Sequence, residues 1–247
     1  MNLVDQTIAW LTNPAHWSGG NGIPVRLLEH LELSGTAFVI ALAIALPIGL
    51  AVGHTGRGAT AAVNLANLGR AVPSLATIGI VAPLTQAIDP ALGFTFYPTL
   101  IGLVVLALPP ILVNAYAGVA GVDHDLIEAA RGMGMRERQI LFGVEVPISL
   151  AVILAGMRLA AVTIVATANL GAIFGYGGLG RYLVDGIAQQ DDGHLFGGVV
   201  LAAGLTLLTE GVFALLQRAV ESPGLRAEPT RAGTEPADLA LDGELAA

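Results

Sequence analysis

The sequence predicts an all-α, polytopic membrane fold, and three observations carry that expectation. Of its 247 residues 54% are hydrophobic and 12% charged, with a mean hydropathy of +0.73, a balance typical of membrane-spanning chains and not of soluble domains. Five apolar runs of about 20 residues recur along it, the length that crosses a hydrocarbon core. Between the third and fourth runs lies a charged, helix-forming island.

The runs are Leu33 to Gly53, Asn67 to Ile88, Thr99 to Val119, Ile148 to Ala168 and Leu195 to Leu216. In the first, Ala41, Ala45, Gly49 and Gly53 recur at a spacing of four, a small-residue stripe that suits close packing within the chain. The second carries Pro73 and Pro83, so it is expected to be kinked or broken, because each proline removes a helix hydrogen bond. Residues 1–29 hold Trp10 and Trp17 among polar residues and no cleavable apolar core, which reads as an external or interfacial segment. Residues 30–218 form the transmembrane domain, with the first span as uncleaved targeting signal. Residues 219–247, rich in Pro, Gly, Ala and acids, read as a disordered cytoplasmic tail.

Arginines set the expected orientation, since they favour the cytoplasmic side. With the N-terminus outside, Arg57, Arg70, Arg131, Arg136, Arg138, Arg218, Arg226 and Arg231 share the cytoplasmic side, and Arg26 and Arg181 lie opposite. Several function classes fall away at once. No cysteine is present, which excludes disulfides and thiolate chemistry. No lysine is present either, so a phosphate-binding loop of the Walker A type cannot form. The net charge of -8, to which the acids of the tail contribute, argues against nucleic acid. His30, His54, His124 and His194 show no metal-ligand spacing and are expected mostly as exposed loop residues.

The island reads Asp125-Leu126-Ile127-Glu128-Ala129-Ala130-Arg131-Gly132-Met133-Gly134, and Val144-Glu145-Val146-Pro147 follows nine residues later. Asp125 and Glu128 have the spacing of a capping box that starts a helix. Ala129 and Ala130 favour the helix and let another surface approach closely. Gly134 can end it in a left-handed turn, and Pro147 sits near the start of the fourth span, where its missing N–H costs least. Such a segment between two spans points to a soluble docking partner.

This pattern resembles the cytoplasmic EAA loop of binding-protein-dependent ABC importer permeases, with Val144 and Val146 where Ile and Leu are usual. Ala71-Val72-Pro73-Ser74-Leu75-Ala76, Ala155-Gly156-Met157-Arg158 and Gly175-Tyr176-Gly177-Gly178-Leu179-Gly180 narrow the resemblance to osmoprotectant permeases for glycine betaine, carnitine and choline. It covers most of residues 30–216 and implies a type I importer fold in the bacterial cytoplasmic membrane. It also implies that the chain is not an enzyme and has no cofactor. Implied partners are ABC ATPase subunits meeting the EAA loop, a second permease subunit and an extracytoplasmic substrate-binding protein. Asp125, Glu128, Ala129, Ala130, Arg131, Gly132, Met133, Gly134 and Pro147 would then couple the chain to the ATPase.

One proline and five polar residues in the spans are candidates for the solute path or for helix packing: Pro73, Ser74, Asn114, Arg158, Asn169 and Glu210. Arg158 and Glu210 are the charges in span interiors, where an unpaired charge is costly, and they suit a structural pair. The glycine run 175–180 lacks the sequence of a phosphate loop and reads as a flexible external turn facing a binding protein. Two other readings stay open: a permease for another small solute such as an amino acid, and an ion-coupled secondary transporter, which would need intramembrane carboxylates and internal repeats.

Overall fold

The computed structural model of the chain describes residues 2–64, 73–92 and 96–220. Every regular element there is helical: α1 (Leu3–Thr12), α2 (Ile23–Thr55), α3 (Ser74–Ile88), α4 (Phe96–Ala120), α5 (His124–Gly132), α6 (Glu137–Phe174), α7 (Gly180–Gln189) and α8 (Asp192–Val220), with a further helical stretch at residues 59–64 between α2 and α3. Short 3-10 turns occupy Pro14–Trp17 and Pro90–Leu92. The helices α2, α4, α6 and α8 are long and apolar enough to cross a membrane. The fifth apolar helix, α3, has 15 residues, about 22 Å against roughly 30 Å of hydrocarbon.

That shortness has a local cause. Pro73 caps α3 in an extended conformation (φ −58°, ψ 135°), so the helix starts where proline is tolerated. The earlier part of the expected second span, including Ala71 and Val72, lies outside the described residues, as does the tail from Glu221. The other spans occur with longer helices than hydropathy marks. α2 starts at Ile23, well before Leu33, and runs unbroken across residues 29 and 30, because its polar first turns are anchored by side-chain bonds that a hydropathy window does not register. Arg26 pairs with Glu29 at 2.9 Å, and His30 contacts the Val165 carbonyl at 3.0 Å. His30 is thus buried and not an exposed loop residue.

α4 is the hub, packed between α2 and α6 with α3 against it, while α8 packs on α6 and carries α1 and α7. The core between them is built from Leu33, Ala37, Ala41, Leu103, Ile111 and Ile164. Lipid tails are as apolar as leucine, so close van der Waals contact holds this seam more than water exclusion does. Small residues make the contact close. A Cβ on Gly49 would stand 2.7 Å from Ala115 Cβ and 2.8 Å from the Leu112 carbonyl oxygen, and one on Gly53 2.7 Å from Val119 Cβ. The stripe at spacing four is therefore an intrachain seam between α2 and α4.

Polar chain ends gather at opposite poles. The end of α2, helix α5 and the start of α6 meet at one pole. At the other, α1, α7 and the first turns of α2 and α8 surround a small second core of Trp10, Ile23, Leu179 and Tyr182.

Candidate docking helix and intramembrane polar pairs

Helix α5 is capped at both ends by its own sequence. Asp123 is the N-cap, its carboxylate accepting from the Asp125 amide at 2.9 Å. This corrects the expected capping box: with the cap at Asp123, Glu128 lies two positions beyond the reach of the cap amide. Glu128 instead faces His124 at 3.5 Å, both well exposed. At the other end Gly134 takes φ +84°, its amide donates to Arg131 O at 2.9 Å, and the Met135 amide donates to Ala130 O at 3.2 Å. These two bonds form the Schellman motif, which only a residue free of Cβ strain closes cheaply.

The helix presents most of its surface outward. Of its residues only Ala130 is fully buried, while Glu128, Ala129, Arg131, Gly132 and Gly134 are exposed. Leu126 is 49% and Met133 77% exposed. Two large apolar side chains thus stand clear of the chain beside a row of charges, the composition of an interface anchor with a polar rim.

After α5 the chain enters α6 without a clean start. Residues Leu141–Glu145 form a π turn, and the Val146 amide reaches back to Leu141 O. Pro147 explains it: its ring would press on the carbonyl four residues back, and a wider turn relieves the clash. Pro147 therefore lies inside a continuous helix, just past a widened turn.

Sequence reasoning missed a chain of charges here. Arg131 donates to both oxygens of Glu137, at 3.0 and 3.1 Å. Glu137 lies 3.2 Å from His54 Nε2, and His54 Nδ1 lies 2.6 Å from Glu145. Glu145 is only 2% exposed. Its signal in the sequence was a carboxylate within an otherwise apolar approach to Pro147, a group that burial penalises unless it is partnered. His54, expected in a loop, closes the last turn of α2.

Among the intramembrane candidates, Arg158 donates to Glu210 and, at 3.3 Å, to Gln217, joining α6 to α8. This pair faces a shallow opening of about 320 Å³ lined by Ala155, Leu159 and Val162. Asn114 donates to its own helix at Pro110 O, 2.8 Å, and Asn169 to Ala166 O, 3.1 Å. Ser74 opens α3 and is half-buried, and Pro73 is exposed. These residues are not brought together in one site. Arg158→Leu is expected to lower the melting temperature of the solubilised chain by stranding Glu210. Arg158→Leu with Glu210→Leu should recover most of that loss, because an apolar pair leaves nothing unpaired. Thermal unfolding of the three variants in one detergent measures the difference.

The glycine run at the opposite pole is pinned, not flexible. The Gly178 amide donates to Glu29 at 2.7 Å and the Tyr176 hydroxyl to the Glu29 carbonyl at 3.0 Å. Burial, then the Glu32 and Glu29 carboxylates, push the Tyr176 hydroxyl up to about 12, so it keeps its hydrogen as a donor. Nearby, the rings of Trp10, His16, Tyr182 and His194 pack together, with Trp10 4.5 Å from His16 and 5.1 Å from Tyr182. Trp10 is buried, so its faces are spent on neighbours.

The bundle of membrane-length helices, with a capped, outward-facing helix between two of them, defines a polytopic α-helical membrane protein. Comparison with known proteins makes the class specific. Residues 43–222 match the family model of the binding-protein-dependent transport system inner membrane component, and the chain belongs to that family. It is 34% identical to the carnitine transport permease protein OpuCB of Listeria monocytogenes over 207 residues, 84% of this chain and 92% of that protein. It is 32% identical to the glycine betaine/carnitine/choline transport system permease protein OpuCB of Bacillus subtilis, covering 85% and 93%, and 31% to the osmoprotectant import permease protein OsmW of Salmonella typhimurium, covering 80% and 91%. Its fold is similar to that of inward-facing structures of the MetNI methionine ABC transporter, with a TM-score of 0.73 at 24% identity over 85% of this chain and 100% of that one. The chain is accordingly a multi-pass inner-membrane permease subunit of an ABC importer, related to osmoprotectant permeases. Such a component carries no catalytic activity itself, and the system implies ATPase, permease and binding-protein partners.

Proposed function

We propose that this permease carries osmoprotectants such as glycine betaine, carnitine, choline or proline betaine, and that α5 is the helix on which the ATPase docks. The observation that carries the docking assignment is the pair Leu126 and Met133, exposed on a helix whose two ends are fully capped. The caps satisfy the terminal N–H and C=O groups within the chain and Ala130 seats the helix, so the exposed Leu126 and Met133 are left for a partner. The substrate class rests on the sequence similarity to the carnitine and glycine betaine permeases.

In this reading Asp125, Glu128, Ala129, Arg131, Gly132, Met133 and Gly134 face the ATPase, Ala130 seats the helix, and Pro147 with its π turn forms the joint to the span. The N-terminus lies outside and the EAA pole inside, as the arginine distribution favours. ATP binding moves α5, and the spans shift between two packings around one path shared with a second permease subunit. Arg158 and Glu210 hold α6 to α8 as a unit. Residues 30–218 supply the transmembrane domain.

Vesicles containing this chain, its ATPase and its binding protein are expected to take up labelled glycine betaine, carnitine or choline only when ATP is supplied. Uptake that needs no nucleotide and follows a proton or sodium gradient would refute the importer mechanism. Uptake of amino acids alone would refute the substrate class. Glu128→Arg reverses the charge of the docking face, and is expected to reduce uptake by about tenfold through weaker association, in the range of interface hot spots. Unchanged uptake and ATPase binding in that variant would count against the docking assignment.

A further inference from the structure

Helix α5 is held to the spans by little apolar contact, since Ala130 is its one buried residue. The charge chain at its end supplies another connection. Arg131, in the last turn of α5, clasps Glu137 at the start of α6; Glu137 reaches His54 at the end of α2; and His54 reaches Glu145 in the π turn. The His54 side chain is 12% exposed and the Glu145 side chain 3%. The end of α2 thus meets the start of α6 and its π turn, more than 80 residues further along the chain, at one imidazole whose two nitrogens each face a carboxylate.

We propose that His54 is a positioning residue for energy coupling, fastening the docking helix to α2 and to the π turn of α6 so that displacement of α5 reaches both spans together. The proposal rests on the reading of α5 as the ATPase docking helix. Three features of the geometry support it. His54 is the only side chain among the described residues that hydrogen-bonds the Glu145 carboxylate, so the buried group holds the ring in place. The clasp of Arg131 on Glu137 is bidentate, which fixes direction as well as distance. The π turn is a joint within a long helix, where a small push redirects the helical turns beyond it. Because α2 runs its full length to the opposite pole, where Arg26, Glu29 and His30 hold the glycine turn and α6, a pull on His54 is carried to the face at which a binding protein would arrive.

The test measures communication between the poles without requiring the solute to be known: stimulation of ATP hydrolysis by the binding protein in the reconstituted importer. His54→Leu is expected to retain basal hydrolysis and lose stimulation by about fivefold or more, the scale of an ordinary coupling energy. A role confined to stability is separated by His54→Leu with Glu145→Leu, which removes partner and buried charge together and should restore thermal stability. Stimulation that stays low in this stable double variant supports the tie, and stimulation that returns with stability overturns it. Should His54→Leu fail to assemble, Glu137→Gln breaks the exposed half of the chain without stranding a buried charge. Its stimulation should fall at unchanged stability, and full stimulation there also overturns the proposal. Failure of the docking reading shows separately, as full ATPase association in Glu128→Arg.

Discussion

Replacing Met133 with Asp is expected to abolish ATP-driven uptake while leaving the permease folded in the membrane. Met133 is 77% exposed and lies just past the last turn of α5, where its amide, and not its side chain, closes the helix by donating to Ala129 O at 3.0 Å. The substitution therefore removes no contact on which the chain's own fold depends. At an interface the same side chain, flexible and polarisable, would fill a pocket on the ATPase. Losing a central apolar anchor costs about 2 kcal/mol or more, roughly a 30-fold loss of affinity, and a buried aspartate without a partner adds to it. The ATPase should fail to co-purify with Met133→Asp, and Met133→Leu should bind it nearly as well as the parent chain. Leu126→Asp should act in the same direction, being exposed near the other end of the helix. Full uptake by Met133→Asp would show that the ATPase does not rest on this face of α5.

Much of the fold was legible because lipid imposes a simple rule: a crossing segment must be a long apolar helix with its backbone satisfied within itself. Four spans followed from that rule, as did the seam at Ala41, Ala45 and Gly49, while α3 runs on through Pro83 without a break there. The resemblance carried by Glu128 through Pro147 found the family, since capped helix, glycine stop and later proline are local features. The features that escaped were set by distant contacts. Asp123 and Asp125 both suit an N-cap, and local sequence does not distinguish them; the helix uses Asp123. The glycine run looked loose because its anchors, Glu29 and His30, come from residues nearly 150 positions earlier. His54 and Glu145 each look ordinary alone, and their pairing across 91 positions leaves no periodic trace. The candidate path residues Asn114 and Asn169 spend hydrogen bonds on their own helices, as polar residues in spans commonly do.

Gly156→Leu is expected to have the largest effect on stability, and for a reason separate from transport. Here α6 crosses α4 so closely that a Cβ on Gly156 would collide with Asn114 Cβ, stand 2.7 Å from the Pro110 carbonyl oxygen, and lie 3.0 Å from Asn114 Cγ. One of these obstacles is the backbone carbonyl of Pro110 in α4, so a side-chain rotation cannot relieve the clash. Overpacking of this kind costs about 3 kcal/mol or more, and the hydrocarbon region offers no compensating gain for the added leucine. Gly204→Leu provides the contrast, because nothing lies within 4 Å of a Cβ there and the same chemical change should leave the melting temperature of the isolated chain unchanged or slightly higher, leucine being the better helix former. If the two variants unfold at the same temperature in detergent, the α4–α6 crossing is not as close as described. If Gly156→Ala is tolerated and Gly156→Leu is not, the crossing can yield by the width of one methyl group, which bounds the slack available to α6 when the spans reorient.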